Sequence, residues 1–149
     1  MKTRTLKKSC ILPSTQENIF NKLQSIKTLQ YIAFPYATFS PVDVPDNLEW
    51  KAGQVFTFQL KMMGLVPFGL HEIRVSLFDE NSYEIYTNEN NPHVPIWNHR
   101  ISLEAIADNL VRYTDEVEIN AGWKTIFVYL WAKCFYAHRQ RKWKKLLNR

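Results

Sequence analysis

The stretch GWKTIFVYLWAKCFYAHRQRKWKKLLNR, residues 122–149, decides the fold. It predicts one long C-terminal helix that carries seven aromatic residues and ends in a strongly basic segment. Residues 125–137 are apolar almost all round, which predicts a helix that other elements cover on most sides. A membrane span needs about 20 consecutive apolar residues, and Lys133 interrupts this shorter run. We therefore expect the rest of the chain to wrap the helix.

The chain before Gly122 alternates apolar and polar residues with the period of half-buried strands. The strand candidates are residues 5–12, 37–42, 54–63, 70–79, 83–87, 96–106 and 111–119. After the first of them, Ser14-Thr15-Gln16-Glu17 predicts a capping box with Ser14 as the N-cap, followed by a pair of short helices. This order predicts an α+β fold in which a curved antiparallel sheet of seven strands wraps around the C-terminal helix. A length of 149 residues suits a single domain, residues 1–149.

The alternation also predicts which side chains turn toward the helix. If residues 107–109 form a turn, Leu103 lies opposite Tyr113 and Ile101 lies opposite Asp115, with His99 as a diagonal neighbour of Asp115. A convex helix cannot fill a concave sheet, so we expect a cavity between them. The candidate ligand-binding residues are Phe56, Phe58, Leu60, Met62, His71, Ile73, Val75, Tyr83, Trp97, His99, Ile101, Leu103, Tyr113, Asp115, Phe127 and Trp131.

Asp115 is the candidate that packing explains least. Aspartate is almost never fully buried unless it is paired, so its partner is expected to be His99, Tyr113 or a cation such as Arg139. The residue pattern leaves open whether Asp115 belongs to a structural pair, contacts a ligand or takes part in catalysis.

Composition and motifs exclude several classes of protein. The net charge of +5 is concentrated at the two ends, and basic residues in the last turns of a helix interact well with its dipole. No nucleic-acid partner is therefore expected. The two cysteines, Cys10 and Cys134, lack metal-ligand spacing and predict buried free thiols. No cofactor, metal or signal peptide is expected either, and the predicted location is cytoplasmic.

Four sets of residues share their order and spacing with a known superfamily. They are Ile11-Leu12-Pro13-Ser14 with Ile19-Phe20, Trp97-x-His99, Tyr113-Thr114-Asp115-Glu116-Val117 and Phe135-Tyr136-x-His138-Arg139. Through them nearly the whole chain resembles the START-like or SRPBCC superfamily, which includes the birch pollen allergen and polyketide cyclases. Within it, the chain is most similar to bacterial ligand-binding SRPBCC proteins. The resemblance implies a helix-grip fold that binds a hydrophobic small molecule or lipid between the long helix and the sheet.

Two other functions remain open at this point. A cyclase, dehydratase or hydrolase would use His99 as a general base that Asp115 orients. Alternatively, the C-terminal helix has more aromatic side chains than one inward face can bury, and a membrane surface, a protein partner or a second copy in a homodimer would cover the surplus. An enclosed cavity favours a carrier, a mouth that exposes His99 and Asp115 favours an enzyme, and a filled core with an aromatic outer patch favours an interaction module.

Overall fold

The computed structural model describes residues 3–43 and 50–148. The elements are β1 (Arg4–Leu12), α1 (Gln16–Leu23), α2 (Ile26–Ala33), β2 (Ala37–Asp43), β3 (Val55–Met62), β4 (Val66–Asp79), β5 (Glu84–Asn90), β6 (Ile96–Ala107), β7 (Leu110–Asn120) and α3 (Thr125–Leu147). The strands form one antiparallel seven-stranded sheet in the order β1-β7-β6-β5-β4-β3-β2. This confirms the predicted α+β helix-grip architecture. Most of the segment between the second and third strand candidates, residues 43–53, lies outside the described residues.

The two short helices begin at side-chain caps. Thr15 Oγ1 accepts a hydrogen bond from the backbone N–H of Asn18 at 3.1 Å, which makes Thr15 the N-cap of α1. The prediction of Ser14 as N-cap was wrong by one residue, because Ser14 Oγ accepts instead from the Asn18 side-chain amide at 2.8 Å. Ser25 caps α2 through the backbone N–H of Thr28, at 3.4 Å.

The register between β6 and β7 is the predicted one. Leu103 pairs with Tyr113 and Ile101 pairs with Asp115 across the two strands. The residues along β7 alternate strictly between buried and half-buried or exposed positions, so every second side chain faces the core. This register brings His99 and Asp115 to the same face of the sheet.

Two inward positions differ from the prediction. The register of β4 against β5 shifts between Val75 and Leu77, and the resulting bulge packs Phe78 against the core, where strict alternation from Val75 would place Leu77. Tyr83 lies in the turn before β5 with φ of 57°, although it was predicted to begin the strand. Its ring still packs edge-on against Phe20, with ring centroids 5.4 Å apart.

α3 follows a 3-10 turn, Gly122–Lys124, in which Gly122 has a φ of 63°, a left-handed conformation that favours glycine. After Thr125, the buried residues of α3 recur at helical spacing as Ala132, Phe135, Tyr136, Gln140 and Trp143. The start of the helix is less covered than predicted. None of the described helices is long and apolar enough to cross a membrane.

Both cysteines are free, but only one is partly covered. Cys10 in β1 is half-buried, and burial raises the pKa of its thiol to about 11. Cys134 is exposed, so the prediction that it is buried was wrong. Its position on α3 lies on the outer side of the helix, beside the exposed Lys133.

Candidate ligand-binding cavity

A cavity of about 110 Å³ lies between α3 and the inner face of the sheet. Its walls are mostly apolar, and the titratable side chains among them are His71, Glu89, His99, Tyr136 and Arg139. The predicted site residues that line it are Phe58, Leu60, Met62, His71, Ile73, Trp97, His99, Ile101 and Trp131. That these residues bind a ligand stays a prediction.

The cavity adjoins a wider depression of about 370 Å³ at the start of α3, which we call the open end. Trp123 and Phe127 flank this depression and are 72% and 65% exposed. Phe127, a predicted cavity residue, therefore lies outside the cavity because its position on α3 faces the mouth. The side chains that line both spaces are Met62, Phe68, Trp97 and Trp131.

The core beyond the cavity is filled, and we call the cluster around Leu103, Tyr113 and Trp143 the closed end. Tyr113 and Trp143 are fully buried, with ring centroids 5.7 Å apart. Leu103 and Tyr113 were predicted to line the cavity, but Trp143 occupies the space they face. The other predicted site residues away from the cavity wall are Phe56, Val75, Tyr83 and Asp115.

Phe56 and Val75 belong to a separate packed cluster. The indole of Trp50 covers Phe56, with ring centroids 5.3 Å apart. Trp50 precedes β3 in a segment without strand periodicity, and it lines the cavity with its other surface. The aromatic ring from this segment thus occupies space that the strand pattern alone leaves open.

Asp115 is fully buried behind the cavity wall. Its Oδ1 accepts hydrogen bonds from His99 Nε2 at 2.6 Å and from the Tyr113 hydroxyl at 3.3 Å. Its Oδ2 accepts from Gln140 Nε2 at 3.0 Å. Burial raises the pKa of Asp115, but the hydrogen bond and charge of His99 outweigh burial and hold that pKa below its ordinary value. These contacts favour the structural pair over direct contact with a ligand.

Glu89 is a second buried acid, at the end of β5. Its Oε1 accepts from His71 Nε2 at 2.7 Å, and its Oε2 accepts from the Thr87 hydroxyl at 2.6 Å. Burial raises the pKa of Glu89, but the hydrogen bond from His71 more than offsets this, so the pKa lies below its ordinary value. Glu89 lines the cavity, whereas Asp115 does not.

The His71 ring is fixed on both sides. Asn91 Oδ1 accepts hydrogen bonds from two backbone N–H groups, so its Nδ2 is the donor that lies 3.0 Å from His71 Nδ1. Nδ1 therefore accepts, and the ring hydrogen on Nε2 points to Glu89. His99 differs, because its Nε2 bonds Asp115 while its Nδ1 lies 4.0 Å from Glu89 Oε2, beyond hydrogen-bond distance.

Arg139 reaches the cavity from α3. Its Nε is buried without a hydrogen-bond partner, and no ion pair joins it to any acid in residues 3–43 or 50–148. The guanidinium lies over the rings of Phe135 and Tyr136, 5.7 and 5.3 Å from their centroids. Burial lowers the pKa of Arg139, but the negative charges of neighbouring groups, Tyr113 and Asp115 first, raise it overall.

Glu89 and Gln140 are polar members of the site that were missed in the sequence, although each fits a periodic pattern. Glu89 continues the period-two face of Ile85 and Thr87, but the strand was ended at Thr87. Gln140 follows Tyr136 by four residues, on the buried face of α3. Among the described residues, no cluster of His, Cys, Asp and Glu could hold a metal ion.

No protein-family model matches the chain, and no curated protein matches it. Solved structures do match: a START superfamily protein from Mycobacterium smegmatis has 11% identity and a TM-score of 0.75, with 97% of each chain covered. Ara h 8.0201 has 13% identity and a TM-score of 0.70, with 98% of both chains covered. The ZhuI aromatase/cyclase from Streptomyces sp. R1128 has 11% identity and a TM-score of 0.68, covering 99% of this chain and 90% of that one. The chain therefore has the helix-grip fold of START-like proteins, and likeness at these identities shows the fold alone.

Proposed function

We propose that the protein, as one domain over residues 1–149, binds a hydrophobic small molecule or the apolar part of a lipid in the cavity beneath α3. The observation that carries the proposal is an apolar space that side chains such as Phe58, Leu60 and Ile73 surround. A few polar groups, among them His71 and His99, converge on it, as they do in ligand pockets generally. The fold by itself does not identify the function, because proteins with one fold can have many different activities.

The size of the cavity limits the ligand. A cavity of about 150 Å³ lined by apolar side chains can hold benzene. The cavity here, about 110 Å³, therefore suits a small ring or a short branched chain. A larger ligand would extend its remaining atoms through the open end, where a further 370 Å³ is accessible. A lipid with long chains would be only partly enclosed.

Of the two histidines on the cavity wall, only His99 has a ring nitrogen available for acid–base catalysis. A general base needs a nitrogen lone pair directed at the substrate. Both ring nitrogens of His71 are occupied, and His99 Nε2 is held by Asp115. Only His99 Nδ1 is without a hydrogen bond, and its nearest charged group is the Glu89 carboxylate at 4.0 Å.

A membrane surface is a second candidate partner, at the open end. Trp123 and Phe127 are strongly exposed there beside Lys124, and Leu65 in the β3–β4 turn is 84% exposed. Exposed aromatic residues next to basic ones are typical of proteins that contact anionic lipid interfaces. Co-sedimentation with phosphatidylserine vesicles should fall when Trp123 and Phe127 are both replaced by Ser. Size-exclusion chromatography of the same variant separates this result from a homodimer interface.

Isothermal titration calorimetry with 4-phenylbutanol, a neutral ring on a short chain, tests the cavity proposal. Leu60→Trp should abolish the binding heat, because Leu60 lines the cavity. Gln59→Trp is the matched control, since successive residues of a strand face opposite sides of the sheet. Equal losses in both variants, or no binding to the unmodified protein, would contradict the proposal. Native mass spectrometry of protein purified from its own host would then weigh any retained ligand.

A further inference from the structure

We propose that the cavity selects ligands that carry a single carboxylate on an apolar body, and that the Arg139 guanidinium is the group that binds this carboxylate. The inference rests on the proposed binding function and names the chemical class of the ligand. It depends on one observation above all: Arg139 is a cation on the cavity wall with no partner of its own among the described residues.

The nearby acids do not supply that partner. Asp115 accepts hydrogen bonds from three other residues, and Glu89 accepts from two. All four carboxylate oxygens are thus engaged by other donors, and none lies within 4.0 Å of an Arg139 nitrogen. The acids lower the electrostatic cost of the buried cation without satisfying its N–H groups.

Arg139 as a whole is half-buried, but its Nε–H is buried without a hydrogen-bond partner, which is unfavourable for a charged group and needs a physical explanation. The aromatic rings of Phe135 and Tyr136 offer their faces to the cation but accept no strong hydrogen bond. An oxygen-bearing group of a ligand in the cavity would satisfy the guanidinium donors. The same ligand could bury its apolar part against Leu60, Ile73 and Trp131.

The surroundings favour a carboxylate over a phosphate. A guanidinium fork can bind either group with two parallel hydrogen bonds. A phosphate monoester carries close to two negative charges at neutral pH, and the buried carboxylates of Asp115 and Glu89 would repel it more strongly than a monoanion.

The test compares 4-phenylbutyrate with 4-phenylbutanol, which differ in the charged group at the chain end. By calorimetry, the unmodified protein should bind the acid about 10 to 100 times more tightly than the alcohol, the range expected for a charge-assisted hydrogen bond. Arg139→Met should remove this preference, so that the acid and the alcohol bind with similar affinities. Arg139→Lys keeps the charge but not the fork, and should retain part of the preference.

Arg141→Met is the matched control, because this substitution removes the same charge from an exposed position on α3. It should leave both affinities unchanged. If Arg139→Met fails to fold, the Arg139 Nε–H resonance of the unmodified protein decides the role of this residue. It should shift when 4-phenylbutyrate is added and stay in place with the alcohol.

Each contrary result has a distinct meaning. Equal binding of acid and alcohol by the unmodified protein would overturn the carboxylate inference and leave the proposed function intact. Binding of neither compound would overturn both. A preference for the acid that persists in Arg139→Met would show that another group binds the carboxylate. An Arg139 Nε–H resonance that does not shift when the acid is added would show the same.

Discussion

Strand β6 and helix α3 run along both the open end and the closed end of the core, yet one end holds empty space and the other does not. Toward the open end, Trp97 and Tyr136 belong to one apolar cluster, and toward the closed end Tyr113 and Trp143 belong to another. The alternation of buried residues in β6 continues from one end to the other. What differs is the packing against the strands, because at the closed end Trp143 of α3 is joined by Phe20 of α1. The comparison teaches that alternation determines which residues turn inward, while the elements that pack against that face determine whether a cavity remains.

A layer of polar side chains lies between the two ends. His99 on β6, Asp115 on β7 and Gln140 on α3 occupy neighbouring positions at the boundary between the two apolar clusters. We call this layer the polar belt. Because His99 and Gln140 both donate a hydrogen bond to Asp115, the belt connects the three elements at the point where the packing changes.

Loss of Asp115 should have the largest effect on this arrangement. Asp115→Ala leaves the donors of His99 and Gln140 without an acceptor, and removing one partner of a buried pair costs about 3–5 kcal/mol of unfolding free energy. Urea denaturation measures the change. Glu116→Ala, one residue along β7 and half-buried, should cost far less. A stable Asp115→Ala protein would contradict the importance of the belt.

Replacing a large α3 side chain by alanine should change the unfolding free energy much more at the closed end than at the open end. Trp143→Ala should destabilise the protein by about 3 kcal/mol, the low end for such a change, because the last turns of α3 can move partly into the space. Phe127→Ala at the open end should change the unfolding free energy by no more than about 0.5 kcal/mol. Similar losses in the two variants would mean that the open end is packed as tightly as the closed end.

Acid should weaken the contacts of the two buried acids, Asp115 and Glu89, in a defined pH range. The pKa values of Asp115 and Glu89 are lower in the folded protein than their ordinary values, so both acids stabilise the fold above pH of about 4. That contribution is lost as the pH falls from there through the folded pKa values. Glu89→Gln should therefore flatten the decline of unfolding free energy with falling pH. Glu104→Gln, on an exposed side chain, should leave the decline unchanged.

The smallest expected effect is a difference between the two thiols in their reaction with a reagent from solvent. Cys10 packs against the closed-end cluster, and its pKa of about 11 leaves about one thiolate in a thousand at pH 8. Cys134 is exposed. A thiol reagent such as dithionitrobenzoate should label one thiol rapidly in the native protein and the second only on denaturation. Rapid labelling of both would show that the packing around Cys10 opens readily.

Strand periodicity accounts for how much of the site could be predicted. The closeness of His99 to Asp115 follows from two long alternating strands and a short turn, whereas the choice of His99 as its partner over Arg139 needed the structure. Glu89 was missed because β5 continues three residues beyond the predicted end at Thr87. Trp50 could not be predicted, because a residue outside strands and helices carries no periodic signal for the space it fills.

Gln140 has a consequence for how the molecule moves. Its side-chain Nε2 lies 2.9 Å from the Lys8 carbonyl oxygen in β1 and 3.0 Å from Asp115 in β7, so one amide group fastens α3 to two neighbouring strands. Phe127 and Leu130, earlier in the helix, are mostly exposed. Backbone amides near Gln140 should therefore exchange with solvent deuterium much more slowly than those near Phe127. A bound molecule could then leave past the loosely held start of α3 while the rest of the helix keeps its place, so its residence time would be set by local opening rather than by global unfolding.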